Sequence, residues 1–590
     1  MNDNRNLILS IVFSVVILVS YEFYNSWRYP DATIPLGDER TATDTTTPTP
    51  APQAPSTVPG TTGNANLNAP SIPGSAAPTA AEAQMAGRAD LLEKSARVKI
   101  NSPRLHGSLS LVGGRLDDLT LSDYHEELDK SSPAIVLLSP SGAEGAYFTD
   151  YGWVGEGISL PNSETLWSAT SQTLNPEKPV TLSWDNGEGL VFKRTYTIDD
   201  GYMFTVTQAV ENNSGKPVTL HPYALMSRHG LPEVTGFYIL HEGLLGVFDE
   251  TLQEVDYDDM QETNSVQNKT TGGWLGITDK YWLVALVPDQ KTPITSRFTY
   301  RNDQGLEKFQ ADFLGQPVSI AAGASGAVTS HLFTGAKEVK LLDRYEADIG
   351  IARFDLAIDF GWFYFLTKPI FYTMIFINEH VGNFGIAILL LTVLIKLLFF
   401  PLANKSYTSM SKMKKLQPEM VKLRERFGDD KTKLNQEMMA LYKREKANPA
   451  SGCLPMLVQI PVFFSLYKVL FVTIEMRHAP FFGWIQDLSA PDPTDVFNLF
   501  GLIPWDPSTV LPEPLLVGVW PLIMGITMFL QQKLNPQPAD PVQAKVFMFL
   551  PIMFTFMLAR SPAGLVIYWA WNNLLSIIQQ KVIMIKMGVK

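Results

Sequence analysis

Hydrophobic positions are spaced along the chain in three different ways, and each predicts a different kind of element. Six stretches are apolar almost without interruption: residues 6 to 24, 384 to 402, 454 to 474, 515 to 534, 544 to 560 and 563 to 583. Each approaches the twenty or so residues that a helix needs to cross about 30 Å of hydrocarbon. A second pattern fills the middle of the chain, where short runs rich in β-branched and aromatic residues are separated by turn signals. Residues 190 to 198 and 202 to 210 are such runs, parted by Asp199-Asp200-Gly201 and followed by Asn212-Asn213-Ser214-Gly215. Similar runs recur near 108 to 121, 281 to 288 and 316 to 333. They predict an all-β, antiparallel sandwich.

The third pattern lies between the second and third apolar stretches. Met410, Met413, Leu416, Met420, Leu423 and Phe427 recur every three or four residues, and Leu434, Met438, Leu441 and Tyr442 resume the period after Gly428-Asp429-Asp430. Two short amphipathic helices folded into an antiparallel hairpin are expected. Met410, Met413, Met420, Met438 and Met439 either fill the seam between them or form an adaptable surface for apolar partners.

Charge orients these elements. Residues 403 to 449 carry twelve Lys and Arg, whereas residues 475 to 514 carry only Arg477. Basic residues collect in short cytoplasmic loops, so the hairpin and both termini are expected in the cytoplasm. Residues 31 to 360 have a net charge of −20 and the remainder +8, within a total of −12 for 590 residues. The acidic region then lies outside the cytoplasm. Residues 360 to 377 are also apolar, but Lys368-Pro369 interrupts them and Trp362, Phe363, Tyr364, Phe365, Phe371 and Tyr372 favour a membrane interface. A helix lying on the outer surface is expected there. Residues 41 to 80 hold eight Pro, ten Thr and one charge, a composition expected to form a flexible tether with a random-coil span of roughly 35 Å.

The resulting division is an N-terminal anchor at 1 to 24, a linker at 25 to 85 and a β-sandwich domain at 86 to 345. An interfacial amphipathic helix at 346 to 382, a second transmembrane helix at 383 to 404 and the hairpin at 405 to 449 follow. Residues 450 to 590 supply helices three to six with short loops and a basic tail. The first stretch reads as a retained anchor because no small-x-small cleavage site follows it.

Catalytic signatures are absent. The single cysteine, Cys453, excludes disulfides and cysteine-based metal sites within the chain. No phosphate-cradling glycine motif occurs, and the second histidine that a zinc helix would need after His241-Glu242 is replaced by Leu245. Ser409-Met-Ser-Lys412 sits in a basic helix without companion motifs. No enzyme, metal or cofactor is expected.

Polar residues inside the apolar stretches carry more information. Lys396 interrupts one of them, and Thr392, Gln459, Thr527, Gln531, Asn572, Asn573 and Ser576 are its candidate company. A lysine facing lipid mid-bilayer costs about 2.5 to 3.5 kcal/mol. It either snorkels to the cytoplasmic surface about 9 Å away or faces a hydrated cleft. The other polar residues either glue helices together or line that cleft. No acidic residue lies mid-span, which argues against a cation pump.

The ordered text from Asn383 to Gln580 resembles the YidC/Oxa/Alb family in its Gram-negative form. The matches include Phe400-Pro-Leu-Ala-Asn-Lys-Ser-Tyr-Thr-Ser-Met-Ser-Lys-Met-Lys-Lys-Leu-Gln-Pro418, Gly428-Asp-Asp-Lys431 and Gln436-Glu-Met-Met-Ala-Leu-Tyr-Lys443. They continue through Asn448-Pro449, Gly452-Cys-Leu-Pro455, Gln459-Ile-Pro461, Asp487-Leu-Ser-Ala490 and Asn573 to Gln580. The resemblance implies a polytopic α-helical protein of the bacterial inner membrane with six transmembrane helices, five forming the family's conserved core. It also implies an all-β periplasmic supersandwich similar to sugar-mutarotase-like domains. Its activity would be that of an insertase and chaperone for nascent membrane proteins, working alone or with the Sec translocon. A helix-walled groove would hold one essential positive residue, and Lys396 stands where many relatives have Arg. Lys keeps the charge but loses the planar fork, so a general electrostatic pull replaces bidentate capture of a carboxylate. A client helix would slide past Val462, Phe463, Phe464, Phe554 and Phe556. Further implied partners are membrane lipids and, through the cytoplasmic loops, the ribosome, with no nucleic-acid specificity and a functional monomer. A small-anion transporter using the same cleft is the alternative; it requires internal repeats that the sequence does not show.

Overall fold

Antiparallel pairing with one buried face accounts for most of the chain's middle. In a computed structural model, residues 87–232, 240–303, 305–427, 430–445, 454–505, 507–512, 515–535 and 541–588 are described. The predicted anchor and linker, the turn at 428 to 429 and the segment 446 to 453 lie outside them.

Two sheets of eleven and nine strands form the β domain, which spans Arg97 to Ala336. Leu190–Ile198 and Met203–Asn212 pair antiparallel with Val206 opposite Tyr196, and their buried positions alternate with partly exposed ones. Their turn closes because the Asp199 carboxylate accepts from the N–H groups of Gly201 and Met203, at 2.9 and 3.0 Å. The sheets face each other: Tyr151 of one packs edge-on against Tyr196 of the other, and the Gln208 amide donates to the Tyr223 carbonyl at 3.2 Å. Arg194, only 3% exposed, crosses between them to the carbonyls of Gly114 and Tyr151, with Asp150 beside it. A guanidinium so buried persists because carbonyls and a carboxylate replace its water. The all-β expectation holds; one short pairing, of Arg97–Asn101 with Thr173–Leu174, is parallel.

Helices α1 (Arg88–Glu93) and α2 (Tyr257–Thr263) decorate the sheets, and α3 (Val339–Ile349) leads out of them. The helical half comprises α4 (Tyr364–Val381), α5 (Phe384–Leu398), α6 (Phe400–Phe427), α7 (Lys431–Arg444), α8 (Leu454–Val472), α9 (Val519–Leu534), α10 (Pro541–Met557) and α11 (Ala563–Lys586). Three expectations need correction. Lys368-Pro369 does not interrupt its stretch, because Pro369 sits inside the continuous helix α4. The helix expected over 384 to 402 ends at Leu398, where the chain turns by 70° into α6. The first arm of the hairpin is therefore not short; it starts at Phe400 and runs 28 residues. Among the described residues no single helix is both long and apolar enough to span a membrane, whereas the bent pair α5 and α6 together is.

The hairpin itself forms. Met410 and Met413 are buried with Tyr407, Leu416, Leu441 and Ile583, and Met420 packs on this cluster, so the seam includes α11 as well as α6 and α7. Met438 is half-buried and Met439 exposed, so neither belongs to it.

Loop carbonyls and side chains satisfy the helix ends facing the β domain. Asn383 caps α5 by accepting from Ile386 N–H at 3.0 Å. The carbonyls of Ala490 and Leu488 take the first N–H groups of α11, from Ala563 and Gly564, at 2.7 and 3.0 Å. Gly385 has no alternative, because a Cβ there would lie 2.0 Å from the Phe481 ring.

The two halves meet at the C-terminal end of α8. Arg477 donates to the carbonyls of His125 and Glu126 at 2.6 and 3.2 Å, and the Lys280 ammonium lies 3.9 Å from the centre of the Phe471 ring. The Glu475 carboxylate accepts from Val339 N–H at 3.3 Å, at the start of α3, while its other oxygen is buried with no partner among the described residues. Burial, above all, lifts its pKa to about 7. Its own N–H and that of Val339 oppose the rise, Glu338 adds to it and Lys340 counters it.

A carboxyl held protonated to about pH 7 in the fold, but ionised above 4.5 when unfolded, penalises folding as it ionises. Stability contributed at Glu475 is thus complete below about pH 4.5 and lost as pH rises through 7. Glu475→Gln is expected to flatten the fall in thermal midpoint between these values in detergent; an unchanged slope would show that Glu475 does not titrate there.

Candidate functional site

The inward face of α5 can be followed by its burial. Gly385, Ile388 and Thr392 are buried at helical spacing, and Lys396 continues that row one turn further. Leu390, Leu394, Leu397 and Leu398 on the other face are 45 to 73% exposed. Lys396 therefore turns toward the other helices, three residues before the bend at Phe399.

The crook of that bend contains an open hollow of about 520 Å³, lined by Lys396, Phe399, Tyr407, Gln459, Tyr568 and Asn572 among others. The Lys396 ammonium donates to the Ser576 hydroxyl at 2.7 Å. Ser576 in turn donates to the Asn572 carbonyl at 2.8 Å, and Tyr407 lines the hollow beside them. An ammonium carries three donors. Among the described residues Lys396 has no ion-pair partner, which leaves donors free for an acceptor in the hollow. Asn572 is 3% exposed and its amide nitrogen is also unpartnered. Such a wall is positive and rich in donors, a setting that favours anionic and carbonyl groups.

In the parts of α5, α8 and α11 nearer the β domain, Ile388, Leu391, Leu466, Val469, Leu470 and Leu565 are packed, each at most 2% exposed. Toward the hairpin the walls of the hollow include Leu402, Ala403 and Tyr407, all beyond the bend.

The other predicted polar residues do different work. Thr392, 1% exposed, donates to the Ile388 carbonyl of its own helix at 2.7 Å. Asn573 donates to Thr527 at 3.4 Å, joining α11 to α9 inside the protein. Gln531 is half-buried on α9 and does not line the hollow. Gly525 and Thr555 hold α9 against α10, since a Cβ on the glycine would come within 2.1 Å of the threonine hydroxyl.

Among the five aromatic and aliphatic candidates, Val462 is buried and lines the hollow. Phe463 and Phe554 come together indirectly, because both rings pack on Trp569, with centroids 4.7 and 5.8 Å away. Phe464 and Phe556 are 46 and 42% exposed on the outer surface of α8 and α10. Tyr407, Tyr568 and Trp569 were not among the candidates. An aromatic in an apolar stretch looks like any other core residue, and only Tyr407 stood in the quoted motif text.

Comparison with known proteins agrees with this architecture. A family model described as the YidC periplasmic domain matches residues 97–373, and one described as 60Kd inner membrane protein matches 376–590. Membrane protein insertase YidC of Methylorubrum extorquens (strain PA1) is 52% identical over all of this chain and 96% of its own. The protein of that name from Beijerinckia indica is also 52% identical, over all of this chain and 97% of its own. The one from Bradyrhizobium diazoefficiens is 50% identical with the same coverage.

Trp569 bridges α8 and α10, so Trp569→Ala is expected to cost about 3 kcal/mol or more. Trp362→Ala, at a residue 98% exposed, should leave the thermal midpoint almost unchanged. Equal effects of the two substitutions in the same detergent would contradict the bridging role.

Proposed function

The chain belongs to the YidC membrane protein insertase family, an inner membrane family with a periplasmic domain, and we propose that the Lys396 hollow is where it receives its clients. The single observation that carries this reading is an ammonium without an ion-pair partner among the described residues, in a hollow walled on the hairpin side by Leu402, Ala403 and Tyr407 and backed toward the β domain by buried aliphatic residues.

In this reading a nascent membrane protein presents a short hydrophilic tail to the hollow from the cytoplasm. Water and the Lys396 charge lower its desolvation cost, and the path left through hydrocarbon is shorter than the full bilayer. The client's apolar helix moves along the outer surface of α8 and α10, where the exposed rings of Phe464 and Phe556 support a sliding contact. Val462, Phe463 and Phe554 back that surface. Release into lipid gains about 25 cal/mol per Å² of apolar area, so no nucleotide is required. An insertase of this kind moves its client by partition and breaks no covalent bond.

The finer topology belongs to the same proposal. Six spans, with both termini and the hairpin in the cytoplasm, are supported by the basic residues of 403 to 449. Helix α5 supplies a span that leaves the membrane at the 70° bend into α6. Helix α4, with Phe365 and Phe376 exposed by 74 and 61% and Trp362 just before it by 98%, lies along the outer surface. The protein acts as a monomer, with the Sec translocon and ribosome as partners for some clients and the hairpin facing the latter. The packed layer toward the β domain and the family assignment leave no support for the small-anion transporter.

The purified chain in liposomes is expected to insert a small single-span client, measured by protease protection. Lys396→Glu should reduce insertion at least tenfold and Lys396→Ala less, with protein abundance unchanged; normal insertion by the Glu variant would overturn the electrostatic role.

A further inference from the structure

The loop joining α8 to α9 contains ten consecutive residues without a charge, from 496 to 505, and the acids that precede the run bond within the loop and to α9. The Asp492 carboxylate accepts from Trp520 N–H at 2.8 Å and from the Trp484 indole at 3.1 Å, while the Thr494 hydroxyl accepts from Val519 N–H at 3.0 Å. These contacts cap α9 and fix the loop to its first turn. Asp495 turns the chain back: its carboxylate accepts from Phe497 N–H and its carbonyl from Phe500 N–H, both at 2.7 Å. The Asn498 side chain accepts from Gly501 N–H at 2.8 Å, and its carbonyl from Ile503 N–H at 3.0 Å.

What this bonded turn presents outward is apolar. Phe497, Leu499, Phe500, Leu502, Ile503 and Trp505 are 41 to 83% exposed. Leu499 and Phe500 are also held at φ of 50° and 60°, a conformation that side chains of their size rarely adopt. A chain that bends its backbone this way to expose leucine and phenylalanine, and ties the bend to a helix end, is built to place them against something.

We propose that residues 497 to 505 form a wedge that inserts into the outer leaflet of the bilayer beside α9. Lipid is the occupant favoured because the wedge is continuous with the exposed apolar face of α9, where Ile523, Ile526 and Leu530 are 37 to 59% exposed. Its composition suits the boundary between headgroups and acyl chains: six apolar side chains including a tryptophan, with Asp492 and Asp495 turned inward and buried. The wedge anchors the end of α9 opposite the hairpin and disturbs acyl packing next to the surface along which a client leaves. This inference rests on the six-span reading above.

The test uses the full chain in a Cys453→Ser background, labelled with an environment-sensitive fluorophore at Leu502→Cys, Ile526→Cys or Leu166→Cys. Each is reconstituted into phosphatidylcholine and phosphatidylglycerol vesicles with a quencher carried high on the acyl chain, or with iodide in the water. Leu166, 65% exposed on the β domain, is the aqueous control. The label at 502 is expected to show the blue shift and lipid quenching of the label at 526, and the label at 166 to be quenched by iodide alone. Iodide quenching at 502 with lipid quenching at 526 overturns the wedge and leaves the span standing. Loss of lipid quenching at 526 overturns the span reading itself. Protection of 502 from both quenchers overturns the wedge in favour of a protein cover.

Discussion

A charge cannot sit in hydrocarbon unsupported, and the helical half of this protein is arranged around that constraint. Lys396 lies on an otherwise apolar helix, so the surrounding elements must supply either a counter-charge or access to water. Among the described residues no counter-charge is present, and the solution is access. Helix α5 stops at Leu398 and α6 departs at 70°, which opens the crook in which the ammonium lies. Ser576 accepts from the ammonium, Tyr407 lines the hollow, and aliphatic residues nearer the β domain are packed and buried. In the proposed reading, such a charge attracts what a membrane otherwise excludes, without a path through.

The same economy governs the ends of the helices on the β side. The segment from 474 to 495 carries almost every polar group that the helical half needs there. Its carbonyls finish α11, Asp492 and Thr494 finish α9, and Phe481 packs on Gly385 at the start of α5. Arg477 and Glu475 in that segment also grip the β domain. One loop thus sets the spacing of three helices and fastens them to the large domain. The motif Asp487-Leu-Ser-Ala490, quoted first for family resemblance, has a physical reason in the two carbonyls it offers to α11.

Much of this was legible in the sequence because it rests on local chemistry. Turn signals such as Asp199-Asp200-Gly201 mark strand ends through side-chain hydrogen bonds within a few residues. Charge bias fixes which loops share a side, and a lysine amid leucines announces itself. What escaped depends on partners distant in the chain. Pro401 marks the end of the apolar stretch but not the 70° turn at Phe399, and Pro369 is tolerated inside α4 although it looked like a break. Of eight polar candidates, Lys396, Gln459 and Asn572 line the hollow and Ser576 meets the lysine. Thr392, Asn573 and Thr527 bond elsewhere, because a polar residue on a helix can serve its own backbone or a neighbouring helix equally well. Trp569 and Tyr568 were indistinguishable from core aromatics until the packing was known.

The central claim is that the Lys396 hollow is reached by water from the hairpin side only. Its most direct measurement places a single thiol there, Lys396→Cys with Cys453→Ser, in sealed vesicles of both orientations. A small charged, membrane-impermeant thiol reagent is then added outside. Rapid modification when the hairpin faces outward, and protection when the β domain does, is the predicted result. Modification from the β-domain side, or from neither side, would contradict the account.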